Sequence, residues 1–215
     1  MATVVRSFAI QGIDGYPVDI EIKMLEGQPS ISIIGLGDQA VKEAAERIQA
    51  AIDESGYVFP KKRVIISLAP GDKKKSGSHF DLAMAVGVLC QNGDIGVKKL
   101  PDYGFIGELS LDGRLRACRG ILPMIIAGQK RGIKKIIVPE ANFKEASLVH
   151  GVEILGFYDL IGVVRYLEGK TSGIEMHMEE NEKILEESER ILDFKDVKGQ
   201  DKLIEAVVLA AAGGH

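Results

Sequence analysis

Residues 63–139 constrain the fold of this 215-residue chain most strongly. They begin with a predominantly apolar run at 64–68, typical of a buried strand, and continue through a loop containing Gly71 and Gly77 into an apolar helix. A hairpin pattern, a second apolar helix and another strand follow. This order of elements predicts a mixed sheet covered by helices.

The flanking segments extend the same α+β pattern. Residues 2–34 read as strands separated by two glycine-containing turns, and Asp38 is a good N-cap for an amphipathic helix that Gly56 ends. Beyond the central region we predict a helix at 142–149, a strand at 152–155 and a helix at 159–167. We expect an α+β fold whose helices pack on one face of the mixed sheet.

Composition narrows the class of protein. A hydrophobic content of 46% suffices for one core, and no apolar run approaches the roughly 20 residues that cross a bilayer, so we expect a cytoplasmic protein without membrane contact. Cys90 and Cys118 lack metal-ligand spacing and are predicted to be packing thiols. The net charge of −4 means that any nucleic-acid binding must be local.

The central region resembles the proteolytic domain of the Lon protease, in which a serine in a Gly-Pro-Ser-Ala-Gly loop is activated by a lysine on the later helix. The shared Met-Ala pair of the first helix places His79 at the position of the serine. The shared Gly-Arg and Gly-Ile-Lys motifs place Met124 at the position of the lysine. Because a thioether cannot accept the proton of a hydroxyl, the resemblance implies no catalytic residues.

A closer resemblance covers about three-quarters of the chain. The matching segments are AIQGIDGYPVDIEI, ISIIGLGDQAVKEAAERIQAAIDESGYVFP, SLAPGDKKKSGSHFDLAMAVGVL and GELSLDGRLRACRGILPM. They resemble the N-terminal domain of the magnesium-chelatase-like AAA+ proteins known as ComM or YifB, where the loop usually reads Lys-x-Gly-Pro-x-Phe-Asp-Leu. Ser78 replaces the proline here. The resemblance implies the Lon-protease-like fold that is shared with a ribosomal small-subunit domain.

The resemblance also divides the chain into three parts. Residues 1–170 are the Lon-like domain, the acidic segment 171–192 is a linker, and 193–215 resemble the truncated start of an AAA+ ATPase module. Val197 and Gly199 correspond to a turn that lies against adenine in such modules. We expect the phosphate-binding loop to follow His215, so that ATP and Mg belong to the full-length protein and this chain holds no cofactor.

The loop before the first apolar helix suggests a contact with nucleic acid. Lys73, Lys74 and Lys75 lie between glycines that allow the backbone to approach a phosphate closely. The alternative is a basic loop that is merely solvated.

Three further residues could form an acid-base set or a metal site. His79 and Asp81 lie at the start of the helix, and Glu108 lies in the hairpin. The simpler interpretation is that Asp81 offsets the free amides of its own helix and that Glu108 is a structural hairpin residue. We therefore predict no metal site.

The resemblance implies a non-enzymatic domain that assists assembly or DNA engagement of a hexameric, ATP-driven branch-migration motor in natural transformation. Its expected partners are its own AAA+ module, neighbouring subunits and DNA. One alternative is a residual peptidase that uses Ser78 with one of the three lysines. Another is a subunit of magnesium chelatase, which the Lon-like half argues against.

Overall fold

A seven-stranded mixed sheet organises the first of two units, residues 1–175 and 176–215, into which the chain divides. The computed structural model describes residues 2–171 and 199–213. The strands are β1 (Thr3–Gln11), β2 (Asp14–Leu25), β3 (Ser30–Ile34), β4 (Arg63–Ala69), β5 (Tyr103–Phe105), β6 (Glu108–Leu109), β7 (Leu115–Arg116), β8 (Lys135–Pro139) and β9 (Glu153–Phe157). The order in the sheet is β3-β4-β2-β1-β5-β8-β9, and β6 and β7 form a separate hairpin. In this sheet β2 is antiparallel to β1 and β4, and the other pairs are parallel.

The helices follow the predicted order. They are α1 (Gln39–Lys42), α2 (Ala44–Glu54), α3 (Asp81–Asn92), α4 (Ile121–Lys130), α5 (Phe143–Ala146), α6 (Leu160–Leu167) and α7 (Asp201–Ala212), with 3-10 turns at Val97–Asp102 and Glu140–Asn142. Asp38 caps α1 as predicted, since its carboxylate accepts a hydrogen bond of 3.0 Å from the amide of Val41. The helix predicted at 142–149 is shorter, because α5 ends at Ala146.

Helices cover both faces of the sheet, so the prediction that they pack on one face was wrong. On β1, Val5 and Ala9 belong to a buried cluster that includes α2, α3 and α6. Phe8 belongs to a second cluster that includes α4 and α5. Because successive side chains of a strand point to opposite faces, the two clusters lie on opposite sides of the sheet. The physical cause is that central strands such as β1 are apolar on both faces and need cover on both.

The second unit contributes one described helix. Four apolar side chains of α7 are exposed, namely Leu203, Val207, Val208 and Leu209. In the described parts of the chain, no helix is both long enough and apolar enough to cross a bilayer.

Candidate functional site

The loop between β4 and α3 is anchored by a buried lysine. Lys75 is fully buried, and its ammonium donates hydrogen bonds to the carbonyl oxygens of Gly35, at 3.0 Å, and of Pro70. Its backbone amide donates to Leu36, and its carbonyl accepts from Asp38. Burial lowers the pKa of the Lys75 ammonium. This ammonium is not accessible to a phosphate, so Lys75 has to be removed from the predicted nucleic-acid set.

The two preceding lysines occupy different environments. The Lys73 ammonium lies 4.5 Å from the centroid of the Tyr16 ring, a distance at which a cation and an aromatic face attract each other. Lys74 is exposed, and its backbone carbonyl accepts a hydrogen bond of 3.1 Å from the Tyr16 hydroxyl. Tyr16 thus fixes the loop to β2, an anchor that sequence reasoning missed because the residues are far apart in the chain. Nucleic-acid binding by Lys73 and Lys74 stays a prediction.

Neither predicted dyad position offers an open catalytic group. His79 Nε2 lies 2.9 Å from the carbonyl oxygen of Phe8, and burial lowers the pKa of the ring to about 4. The imidazole is therefore neutral near pH 7 and donates its Nε2 proton to that carbonyl. Met124 is a residue of α4 and is fully buried in the apolar cluster on that side of the sheet.

Ser78 opens onto a cavity of about 400 Å³. The cavity is lined by Ile10, Ser76, Gly77, Ser78, His79, Glu108, Ala117, Cys118 and Arg119. The Ser78 hydroxyl donates to Glu108 Oε2, and Glu108 Oε1 lies 3.6 Å from the Arg116 guanidinium. The hydrogen-bond partner of Ser78 is thus a carboxylate and not one of the loop lysines. A carboxylate is a weak base toward a hydroxyl, because their ordinary pKa values are far apart.

Asp81 lies in the first turn of α3, as predicted, but its hydrogen bonds go to partners outside that helix. Its carboxylate accepts hydrogen bonds from Arg47, at 2.7 Å to Nε and 3.1 Å to Nη2, and from the amide of Leu109 at 3.3 Å. Burial raises the pKa of Asp81 to about 6, although Arg47 opposes this shift. The pair ties α2 to α3 and to the hairpin. Asp81 therefore joins these elements in addition to lying at the predicted place in the first turn of its own helix.

Arg47 is the residue of this pair that sequence reasoning missed. It lies 34 positions before Asp81, among the alanines and isoleucines of the buried stripe of α2. A basic residue beside an apolar stripe was the available signal, since buried charges need a partner. Nothing in local spacing identified that partner.

The cysteines are buried, as expected of packing thiols. Burial raises the pKa of both Cys90 and Cys118 to about 12. Asn142 fixes the loop around Cys118 by bonding both its amide, at 2.7 Å, and its carbonyl, at 2.9 Å. Within residues 2–171 and 199–213, no three His, Cys, Asp or Glu side chains are arranged to hold a metal ion.

Of the two residues predicted to contact adenine, the structure describes one. Val197 lies outside the described residues. Gly199 is exposed and has a φ of +71°, shortly before α7 begins at Asp201. This left-handed backbone is typical of glycine in a turn. The assignment of both residues to adenine stays a prediction.

Comparison with known proteins identifies the family of this chain. The family model described as subunit ChlI of magnesium chelatase matches residues 20–142. The competence protein ComM of Haemophilus influenzae is 32% identical over 213 residues, which cover 99% of this chain and 42% of the relative. The protein YifB of Escherichia coli, described as uncharacterized, is 35% identical over 215 residues, covering 99% of this chain and 41% of the relative.

A more distant match covers about two-thirds of the chain. A Lon protease of Rhizobium meliloti is 27% identical over 149 residues, which are 66% of this chain and 18% of the protease. The chain spans about two-fifths of the length of the ComM and YifB relatives. The resemblance proposed from the motifs is confirmed, and the chain belongs to the magnesium-chelatase-like AAA+ family, with ComM and YifB among its relatives.

Proposed function

We propose that this chain is a non-catalytic N-terminal domain of a ComM/YifB-type AAA+ ATPase. In this proposal it assists the assembly or DNA engagement of a hexameric branch-migration motor in natural transformation. ATP and Mg are held by the full-length protein, with Val197 and Gly199 beside adenine. Family membership and the name of the competence-protein relative support this function.

The non-catalytic role rests on one observation above all. The residue at the predicted nucleophile position, His79, has its Nε2 proton committed to the carbonyl of Phe8. At the predicted base position, Met124 is enclosed by apolar side chains. Proton transfer from a nucleophile needs a base within hydrogen-bond reach. The group within hydrogen-bond reach of the Ser78 hydroxyl is the carboxylate of Glu108, which is a weak base toward a hydroxyl.

A peptidase assay with matched variants tests this part. We expect the chain to cleave unstructured protein substrates no faster than Ser78→Ala and Glu108→Gln variants do. Cleavage that is lost in Ser78→Ala but retained in Ser76→Ala, the neighbouring exposed serine, would establish the residual peptidase instead.

DNA engagement is tested with the two accessible lysines. We expect Lys73→Glu with Lys74→Glu to weaken binding of forked DNA by the full-length protein and to reduce its salt dependence, since each phosphate contact releases counterions. Lys23→Glu with Lys144→Glu makes the same charge change at two exposed lysines outside this loop and serves as the control. Equal binding by both double variants across a salt titration would leave assembly as the role of the domain.

The description of the matching family model keeps the chelatase alternative open. A chelatase subunit should be needed for pigment synthesis. Unchanged pigment in a strain lacking the full-length protein, together with reduced transformation, is the result that we expect.

A further inference from the structure

The turn between β1 and β2 carries an apolar residue where turns normally carry polar ones. Ile13 is 90% exposed, so its burial contributes almost nothing to the stability of its own domain. Ile126, another exposed apolar residue, lines the same small cavity as Ile13, so the two together offer an apolar surface for contact with another molecule.

The turn is held rigidly by α4. The backbone of Gly15 lies against that of Pro123, so closely that a Cβ atom on Gly15 would overlap the Pro123 carbonyl oxygen. Ile13, Asp14, Ile126 and Lys130 share a small cavity between the turn and the helix, and we call these four residues the turn patch. The patch presents a fixed apolar projection accompanied by one acidic and one basic side chain.

A second surface has the complementary features. A cavity of about 550 Å³, which we call the α2 cavity, lies between the start of β3, helix α2 and residues 58–61. Its lining includes the apolar Ile31, Val58 and Phe59, the acidic Glu46 and Asp53, and the basic Lys61. Val58 is 73% exposed, so this apolar lining is open to a partner.

We propose that the α2 cavity of one copy of this chain receives the turn patch of a second copy. Ile13 enters the apolar part of the cavity, Asp14 pairs with Lys61, and Lys130 pairs with Glu46. Each of these two pairings joins opposite charges, which supports a contact between the two surfaces. The contact rests on the proposed function, since it supplies the assembly role with its surfaces.

The two surfaces belong to opposite faces of the sheet. Residues of α2 pack in one buried cluster and residues of α4 in the other. When two copies meet through unlike surfaces, the pair still has one free turn patch and one free α2 cavity. Further copies can therefore add head to tail, and they close into a ring if the rotation between neighbouring copies permits.

Disulfide trapping tests the contact directly. Chains carrying Ile13→Cys and chains carrying Val58→Cys are mixed under mild oxidation, with the native cysteines buried. We expect the mixture to form a cross-linked dimer at least tenfold faster than either variant alone. The control replaces Val58→Cys with Leu148→Cys, which is 59% exposed and lies outside both surfaces. A mixture that links no faster than this control overturns the proposal, as does equally fast linking of Ile13→Cys with itself.

Charge reversal provides an independent test by sedimentation over a concentration series. We expect Lys130→Glu or Glu46→Lys alone to weaken self-association about tenfold, and the double variant to recover it, because the pair is restored with reversed polarity. Glu54→Lys makes the same change on the same helix outside the cavity and should have no such partner effect. Failure of the double variant to recover overturns the pairing.

The two proposals fail in different ways. If the chain shows neither peptidase activity nor specific trapping, the proposed contact is refuted and the proposed function stands. If the chain cleaves substrates and this activity requires Ser78, the proposed function is refuted, whatever the trapping shows.

Discussion

Burial shifts two titratable side chains at the start of α3 in opposite directions. The pKa of His79 falls from 6.5 to about 4, and that of Asp81 rises from 3.8 to about 6. Between these values the unfolded chain binds a proton at His79 that the folded chain does not, so His79 makes stability rise with pH. Folded Asp81 retains a proton that unfolded Asp81 has lost, so Asp81 makes stability fall with pH. The two contributions oppose each other between about pH 4 and 6.

Removing either side chain should reveal the contribution of the other to the pH dependence of stability. We expect His79→Gln to make the slope of unfolding free energy against pH more negative than in the wild type, and Asp81→Asn to make it more positive. Each change should reach about 1.4 kcal/mol per pH unit between pH 4.5 and 5.5, the value for one proton. Urea unfolding at a series of pH values measures the slopes, and parallel profiles for all three proteins would contradict the shifts.

Adjacent lysines of the β4–α3 loop should respond differently to the same substitution. Lys75→Met keeps an unbranched side chain of similar length but leaves the carbonyls of Gly35 and Pro70 without this donor. We expect a loss of about 1–3 kcal/mol of unfolding free energy, the usual cost of an unsatisfied buried polar group. Lys74→Met, at an exposed position, should change it by no more than about 0.5 kcal/mol. Equal stability of the two variants would contradict the anchoring role of Lys75.

These residues show the limits of prediction from sequence at this scale. The cap at Asp38 was predictable because its partner amide is three residues away. The burial of Lys75 was not, since it depends on carbonyls of two segments that only the fold brings together. A run of three lysines therefore looked like one basic surface, whereas its last member is part of the interior.

At the scale of elements, the order of strands and helices was predictable and their layering was not. Apolar periodicity identified α2 and α3, and β-branched runs identified β3 and β4. Whether two apolar helices lie on the same side of a sheet depends on how the chain crosses it. On β1, Phe8 and Ala9 are both buried and face different helices, which only the paired sheet makes apparent.

The close packing of the β1–β2 turn on α4 gives a prediction for these elements. We expect Gly15→Ala to cost about 1–3 kcal/mol of unfolding free energy, because the new methyl group meets backbone atoms of Pro123 that cannot rotate away. At Gly71 a Cβ atom would meet nothing within 4 Å, so Gly71→Ala should be nearly neutral. Thermal or urea unfolding measures both, and a neutral Gly15→Ala would contradict the packing.

At the scale of the whole molecule, the structure brings together the two segments that carry the candidate residues, but it changes the partners of some of them. Motif spacing brought the β4–α3 loop and the hairpin into one region, and the cavity beside Ser78 and Glu108 joins them. The pairing of Arg47 with Asp81 and the burial of Lys75 remove two charged groups that sequence reasoning had left available. Such three-dimensional pairing depends on contacts between distant segments, which one sequence does not report.

The composition of the chain predicts unequal resistance to proteolysis along its length. The apolar periodicity that builds a core stops near residue 170, and the acidic segment 171–192 has too little apolar surface to order itself alone. We expect limited trypsin digestion to leave a core that ends between residues 169 and 190. Hydrogen exchange should be slow in β1, β2 and α3, whose buried residues form the main apolar cluster. Protection of residues 171–215 from exchange that equals the protection of this core would contradict the prediction and would mean that the tail docks firmly.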